Sequence, residues 1–298
     1  MNAKILDGKK LQDKIAVELK KEVAGLKTVP TLAIVQIGEM PQSSAYIGMK
    51  KKFSEKIGAK VHHIILPLGV DQKGVFSVID ELNKRKDIHG IIVQLPIPKH
   101  LDRYQIMEAI DPSKDVDGLH SKNSALVYES AYGGKDQKNI PEGLVPATAK
   151  GIISLLKENK VKIGGIKTLI IGRSLLVGKP TAMLLLKENA TVTVAHSKTK
   201  DLNKLCKEND IIIVAAGKAG LIGKGALKKG QVVVDVGTNA VKGGKTLEEH
   251  EKIKLVGDVV FKEAEKIVGA ISPVPGGVGP MTVASLFQNL LKAYNMQV

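Results

Sequence analysis

The sequence predicts an α/β protein of two domains, with parallel sheets covered by helices on both faces. Three observations carry this reading. Short apolar, β-branched runs alternate with segments of helical period along most of the chain, which is the pattern of βαβ units. The chain has 298 residues, 43% of them hydrophobic, enough for two domains with sizeable cores. One glycine-bearing turn, Ile171 to Gly178, joins a buried strand to a helix, where backbone N–H groups and the positive end of a helix can meet a phosphate. Trp is absent and aromatics are 3%, so the cores must be aliphatic.

Taken in order, Asp7 caps a helix carrying Leu11, Ile15, Leu19 and Val23 that ends near Gly25. Thr31–Ile37 is a strand. Ser43 or Ser44 caps a helix of Tyr46, Lys50, Phe53 and Ile57, stopped by Gly58. Val61–Leu66 and Gly90–Leu95 are strands, with helices at Val75–Leu82 and Tyr104–Ile110. From Ser121 to Val145 the rhythm breaks, and Gly133–Asn139 reads as an exposed polar loop. The domain crossing is placed near Pro146. A helix at Ala149–Glu158 follows, then strands at Thr168–Ile171, Ala190–Ala195, Asp210–Ala216, Gln231–Val236 and Lys254–Gly257. Ser272–Met281 is a Pro/Gly loop and Thr282–Tyr294 a terminal amphipathic helix.

Composition narrows the function. The single cysteine, Cys206, excludes a disulfide within the chain and speaks against a cysteine-based zinc site. The seven histidines show no His-Glu-x-x-His spacing, so no metal site is expected. The N-terminus lacks the apolar core of a signal peptide, and no apolar run approaches the roughly 18 residues of a membrane span. A soluble, cytoplasmic protein is expected. The net charge of +15 favours anionic partners. Arginine occurs only at 85, 103 and 173, and aromatics are scarce. Specific nucleic-acid readout is therefore not expected, and much of the lysine reads as solvated surface.

Several residues could carry chemistry. Gly172-x-Ser174-x-x-x-Gly178 is a variant of the dinucleotide-binding G-x-G-x-x-G. Leu176 excludes a nucleophile elbow, and Arg173 stands where a P-loop needs glycine. The next strand ends His196-Ser197-Lys198-Thr199 with no acidic residue before Asp201. A hydroxyl and a lysine there, with Arg173 in the first turn, suit a 2′-phosphate, so NADP is favoured over NAD. His196 reads as a local hydrogen-bonding group. Tyr46 and Lys50 share one helix face; burial would lower the lysine pKa, although such a pair is commonly plain surface. Gln94 ends an apolar strand on the edge where α/β sheets bind ligands, though a glutamine there can simply be satisfied locally. Asp111 to Gly118 places three carboxylates in a turn, which ordinary turn chemistry explains. Ser272-Pro-Val-Pro-Gly-Gly-Val-Gly-Pro-Met-Thr282 is the most unusual string, with three prolines and three glycines fixing a rigid turn.

Together these strings resemble one family. Pro273–Thr282, Gly172–Pro180, Val93–Pro98, Lys114–Gly118 and Ser44–Lys50 are similar, in the same order, to the signatures of bifunctional methylenetetrahydrofolate dehydrogenase/cyclohydrolases. The resemblance implies a folate-binding catalytic domain over 1–145 with 273–298, a Rossmann-like NADP-binding domain over 146–272, and a cleft between them. It implies a homodimer in one-carbon metabolism that supports purine biosynthesis. The implied reactions are NADP-linked oxidation of 5,10-methylenetetrahydrofolate and hydrolysis of the methenyl product to 10-formyltetrahydrofolate. Carried over, Lys50 is the central catalytic group, supported by Tyr46 and Gln94. Asp117 meets the pterin, with Tyr46, Pro273, Gly276 and Gly277 also on the substrate. Gly172, Arg173, Ser174, Ser197 and Thr238 hold the cofactor. The charge would attract polyglutamylated folate. The chain departs from the pattern at Ala147, where the family has cysteine, at Ala149, at Thr238, at Val260, and in a longer Tyr128–Glu142 loop.

Overall fold

The computed structural model describes residues 2–39, 41–131, 143–245 and 251–298, with the backbone alone at 41, 42, 242–245 and 251–253. The polar loop expected at Gly133–Asn139 lies outside the described residues. The chain forms two compact units, one chiefly Gln12–Glu129 with Val283–Val298, the other chiefly Met1–Leu11 with Thr148–Thr282.

Chain order begins with a two-residue strand, β1 (Lys4–Ile5), paired in parallel with Ala270–Ile271. Helix α1 (Gly8–Ala24) follows, and Asp7 Oδ1 accepts from Lys10 N at 2.9 Å as expected of a cap. Leu11, Ile15, Leu19 and Val23 are buried, one stripe of a helix. Strands β2 (Thr31–Ile37), β3 (Lys60–Leu66) and β4 (Gly90–Val93) form a parallel sheet in the order β3-β2-β4. Helix α2 (Pro41–Ile57) begins two residues before the expected serine caps. Asp71 caps α3 (Gln72–Lys84) and Asp102 caps α4 (Arg103–Glu108). Ala33, Val35 and Ile37 of β2 pack with Ile91 and Val93 of β4 and with Val75, Ile79 and Leu82 of α3. Within the stretch expected to break the rhythm lies a further helix, α5 (Ser121–Glu129). Its start is fixed by Glu108, whose carboxylate accepts from Ser121 N at 2.8 Å and from its hydroxyl at 2.6 Å. That long-range cap is invisible to periodicity.

Helix α6 (Ala147–Glu158) opens the second half, followed by β5 (Lys167–Ile171), α7 (Gly178–Lys187), β6 (Thr191–Ala195), α8 (Leu202–Glu208), β7 (Ile211–Val214) and β8 (Val232–Asp235). Next come β9 (Asn239–Lys245), β10 (Glu251–Val256), α9 (Phe261–Ala264), β11 (Ala270–Ile271) and α10 (Val278–Gln297). The sheet order is β1-β11-β8-β7-β5-β6, all parallel. The strand expected at Lys254–Gly257 does not join this sheet; β10 pairs antiparallel with β9 as a separate ribbon. Leu169, Ile171, Ile212, Val214 and Val233 form the sheet's share of an aliphatic core. Cys206 is buried in it, and burial pushes its thiol up to about 11.

The two units divide the chain differently from 1–145 with 273–298 and 146–272. Pairing of β1 with β11 draws residues 1–11 into the six-stranded unit, as do the backbone bonds Leu6 N to Ile271 O and Lys9 N to Gly276 O. The Pro/Gly stretch is also shorter than expected, because α10 starts at Val278 rather than Thr282.

In the three-stranded unit Phe287 of α10 is fully buried, its ring centroid 5.3 Å from that of Phe53 on α2. Truncating such a ring removes its burial and leaves a cavity, costing about 3–5 kcal/mol. Phe287→Ala should lower stability by that amount in urea unfolding followed by circular dichroism. A loss below about 1 kcal/mol would show that α10 is not needed to close this core.

Candidate active site

In the three-stranded unit, the expected group Lys50 sits in the middle of α2 and is only 9% exposed. Its Nζ donates to Gln94 Oε1 at 2.8 Å. Gln94 lies just past the C-terminal end of β4, one residue earlier than the strand end expected, and its backbone N donates to Val35 O. Its own Nε2 donates to Leu95 O at 2.8 Å, which fixes the amide so that only oxygen faces the lysine. Burial lowers the Lys50 pKa, and the negative charge of Asp117 partly restores it. Burial raises the Asp117 pKa, opposed by Lys50 and then by Arg103. Three of the sequence-predicted residues are thus brought together. Tyr46 stands one helical turn before Lys50 and is half-buried.

Of the residues that hold Asp117 in place, Lys114, Asp115 and Gly118 lie in strings quoted from sequence without this role, and Asn289 was not singled out. Lys114 donates to the carbonyls of Leu82, Asn83 and Arg85 at 3.2, 2.8 and 2.7 Å, so its ammonium closes the end of α3. Asp115 is buried and accepts from His120 N at 2.8 Å and Asn123 Nδ2 at 2.9 Å; burial pushes its carboxyl up to about 7. Asn289 of α10 donates to Val116 O and Val145 O at 2.9 and 2.7 Å. Gly118 has φ +70, and a Cβ there would lie 2.5 Å from Leu144 O. Of the three carboxylates in this turn, Asp111 makes a local turn with Ser113, Asp115 is structural, and Asp117 is left for the site. A second polar chain runs beside it. Lys51 Nζ donates to His63 Nδ1 at 3.0 Å, so the His63 ring proton is on Nε2, which donates to Gln36 Oε1 at 2.9 Å. Gln36 Nε2 then donates to Gly38 O at 2.9 Å.

In the six-stranded unit, β5 pairs with β6 on one side and β7 on the other. Successive crossovers therefore leave β5 in opposite directions, and the crevice beyond the C-terminal ends of β5 and β7 is where such sheets bind ligands. Gly172 lies there with φ +133; a Cβ would stand 2.2 Å from Ala215 O. A Cβ on Gly178 would stand 2.1 Å from Gly172 O. Only glycine allows backbone to pass backbone at both points. No side chain caps the first turn of α7; Lys179 N donates to Ser174 O, Thr181 N donates to Val177 O and Pro180 has no N–H, which leaves Gly178 N to meet an anion. Ser174 Oγ accepts from Val177 N at 3.2 Å, shaping the loop. Arg173 and Ser197 are exposed, and no described residue pairs with the Arg173 guanidinium. His196 Nδ1 accepts from Lys198 N at 3.2 Å, the local role expected of it. The strand β6 ends without a carboxylate, so the residues present fit a phosphate-bearing dinucleotide.

Further along the same sheet edge, two carboxylates missed from sequence organise the loops. Asp258 accepts from Ala216 N, Gly217 N and Asn239 Nδ2 at 2.7, 2.8 and 2.8 Å. Asp235 accepts from Gly237 N, Asp258 N and Val259 N at 3.0, 2.9 and 3.0 Å; burial, helped by Asp258, pushes it up to about 6. Thr238 is exposed between them. The Pro/Gly string begins at Ser272, whose Oγ accepts from Asp235 N at 2.8 Å. Gly277 N closes onto Pro273 O at 2.8 Å, and Gly276 has φ +109. Pro273 and Gly276 are half-buried and Gly277 is buried.

Comparisons with known proteins identify the family. Residues 6–117 match the family profile described as tetrahydrofolate dehydrogenase/cyclohydrolase, catalytic domain, and residues 146–298 match the NAD(P)-binding domain of the same family. The chain is 43% identical over 300 residues to the bifunctional protein FolD of Acetivibrio thermocellus, covering 100% of this chain and 99% of that protein. Among solved structures, the bifunctional FolD of Campylobacter jejuni superposes with a TM-score of 0.89 at 38% identity, covering 99% of this chain and 100% of that one. The Trypanosoma brucei FolD, solved with NADP cofactor and an inhibitor, gives 0.91 at 34% identity, covering 99% and 98%.

The electrostatics of Lys50 can be tested directly. Asp117→Asn removes the charge that raises the Lys50 pKa and leaves the burial that lowers it. Lys50 should then titrate at a lower pH than in the unsubstituted protein. The pH dependence of Lys50 acylation, followed by peptide mass spectrometry, reads this. An unchanged or upward-shifted midpoint would mean that the two groups do not interact.

Proposed function

Because the chain belongs to the tetrahydrofolate dehydrogenase/cyclohydrolase family, we propose how its own residues divide the two reactions it catalyses: NADP-dependent oxidation of 5,10-methylenetetrahydrofolate to 5,10-methenyltetrahydrofolate, and hydrolysis of that product to 10-formyltetrahydrofolate. The observation that carries the division is the buried Lys50 amine on Gln94 Oε1 at 2.8 Å.

Oxidation takes a hydride, and no proton, from the reacting carbon. NADP⁺, when bound, supplies the hydride acceptor. The chain's contribution here is placement. Gly172, Ser174 and the first turn of α7 hold the pyrophosphate, Arg173 and Ser197 hold the 2′-phosphate, and Thr238 borders the nicotinamide half. Asp117 accepts from the pterin, Tyr46 lies along the ring system, and Pro273, Gly276 and Gly277 border the folate.

Hydrolysis needs proton transfer. Water attacks the methenyl carbon and gives one proton to the neutral Lys50 amine. The resulting ammonium returns a proton to N5 as the N5–carbon bond breaks, and the hydroxyl proton leaves to solvent as the formyl carbonyl forms. One water enters and one proton is released, as the loss of the substrate's positive charge requires. General acid–base help of this kind contributes on the order of 10²–10⁴-fold. Burial supports the role, since it brings a lysine pKa down from its ordinary value. Gln94 orients the amine. The enzyme works as a cytoplasmic homodimer, and its net charge of +15 favours polyglutamylated substrate.

Two substitutions test the division. Lys50→Met should abolish the hydrolysis while leaving measurable oxidation, so that methenyltetrahydrofolate accumulates and its absorbance persists. Equal loss of both activities in a folded variant would make Lys50 a binding group rather than a proton carrier. Arg173→Ala should shift preference from NADP⁺ towards NAD⁺. A charge-assisted contact is worth about 1.5–3 kcal/mol, roughly 10- to 150-fold. Proportionate changes in the KM for both cofactors would exclude Arg173 as the 2′-phosphate ligand.

A further inference from the structure

At the opposite, N-terminal edge of the three-stranded sheet lies a cleft of about 740 Å³ that the two reactions do not use. It is lined by the loop before β2 and that strand's first residue (Lys27, Thr28, Val29, Thr31), the start of β3 (Lys60, His62) and the turn before β4 (Arg85, Lys86, Asp87, His89). The strand register puts Thr31, Lys60 and His89 at the edge of the sheet remote from Gln94. We propose that this cleft is a binding site for a small oligophosphate, either free or carried on a nucleotide.

Charge is the first observation. Lys27, Lys60, Arg85 and Lys86 face one acidic side chain, Asp87, a local balance of four positive charges against one negative. Asp87 is already occupied: its two oxygens accept from Arg85 Nε and Nη2 at 3.0 and 2.7 Å. No described residue pairs with the ammonium of Lys60 or Lys86. Free lysines on a basic protein are ordinary surface taken singly; here they converge from separate segments on one concavity.

The second observation is independent of charge. His89 lines the cleft but is only 4% exposed, with its ring 4.7 Å from that of Tyr294. Its Nδ1 accepts from Thr31 N at 3.2 Å, so the neutral ring carries its proton on Nε2. Burial and the nearby charge of Lys114 lower its pKa and keep it neutral. The Nε2–H meets no acceptor among the described residues. The His89 ring is nine-tenths buried on the cleft wall, and its donor, with no acceptor among the described residues, is open to one supplied from the cleft. The walls are also fixed: Tyr294 Oη accepts from Thr28 N and Thr28 Oγ1 at 3.2 and 3.0 Å, and Arg85 Nη1 donates to His62 Nε2 at 3.3 Å.

The chemistry favours phosphate over carboxylate. Carboxylates are best held by a free arginine fork, and the fork of Arg85 is taken by Asp87. What remains are lysine point charges and a ring N–H, which suit the many oxygens of a phosphate chain. A single phosphate would fill little of 740 Å³, which lies within the range of small-ligand sites.

The test uses the full-length enzyme with its cofactor site saturated by NADP⁺, titrated calorimetrically with sodium tripolyphosphate, ATP and tetra-γ-glutamate. Tripolyphosphate should bind, and Lys60→Glu/Lys86→Glu should weaken it at least tenfold with the KM for NADP⁺ unchanged. A control, Lys20→Glu/Lys21→Glu on exposed α1 positions, changes net charge equally and should leave binding within twofold. Equal affinity for ATP and tripolyphosphate supports recognition of the phosphates alone; tighter ATP supports a nucleotide. Absent binding, equal weakening by the control, or tighter binding of the glutamate oligomer would each overturn the proposal. His89→Phe, which keeps the ring and removes the donor, should weaken binding in a variant that still melts cooperatively; unchanged affinity would remove the second observation.

Discussion

Keeping one lysine amine out of water is the constraint on which the three-stranded unit depends. An ammonium costs several kcal/mol to bury unless its donors are met and its charge is countered. Lys50 meets this with one oxygen from Gln94 and the field of Asp117. Neither partner holds itself. Gln94 is aimed by its own bond to Leu95 O, and Asp117 by a turn fastened at Lys114, Asp115 and Asn289. The burial of one side chain therefore recruits the end of α3, the turn after α4, the start of α5 and the C-terminal helix. The parallel sheet supplies the platform: β4 ends at Val93 opposite Val35, two residues before β2 ends, and Gln94 follows beside the last residues of β2.

The six-stranded unit solves a different problem, bringing backbone close to backbone. Gly172 and Gly178 let the loop after β5 fold onto itself and onto the end of β7. The carboxylates of Asp235 and Asp258 then gather six donors, from the loops after β7, β8 and β10 and from Asn239 at the start of β9. A Cβ on Gly257 would stand 1.8 Å from an Asp235 oxygen, and one on Gly237 2.4 Å from an Asp258 oxygen. Glycine is therefore required beside each carboxylate as well as in the phosphate turn. The asparagine of Gly237-Thr238-Asn239 serves this clamp through its amide, while Thr238 itself faces outward.

What was legible in the sequence follows from the range of the interactions. β7 announces itself as an unbroken apolar, β-branched run, and β2, β3, β5 and β6 because apolar and β-branched residues predominate in each. Lys50 and Tyr46 stand out through helical spacing, and Gln94 because a polar residue ends such a run. β1 and β11 are two residues each and exist only through their pairing with each other and β8. α5 depends on a cap from Glu108, 13 residues away. Lys114 reaches carbonyls about 30 residues earlier, and Asn289 reaches Val116 across 173 positions. No local pattern encodes such partners. For the same reason local pattern does not separate Asp115 from Asp117: both sit in one turn, the family resemblance alone singles out Asp117, and the fold supplies the physical difference by putting one against Asn123 and the other in the field of Lys50.

The chemistry of the two reactions gives the buried amine a further logic. Burial lowers the Lys50 pKa and Asp117 opposes the fall, so a change of local charge beside the amine moves its protonation in a known direction. The methylene substrate is neutral at the reacting carbon, whereas the methenyl product of oxidation is a cation. With the methenyl carbon beside Lys50, as we propose, forming that cation opposes the ammonium and favours the free amine, the state that can accept a proton from water. Hydrolysis then removes the cationic charge and lets the amine hold a proton again. In this reading the first reaction prepares the base for the second through charge alone, with no movement of the chain. It also explains why a lysine serves better than a histidine at this position. A histidine in the same burial would be lowered well below neutrality and would stay unprotonated, able to take a proton only weakly. Lysine starts from a higher value and can be lowered into the useful range, while the acid Asp117 limits how far it falls.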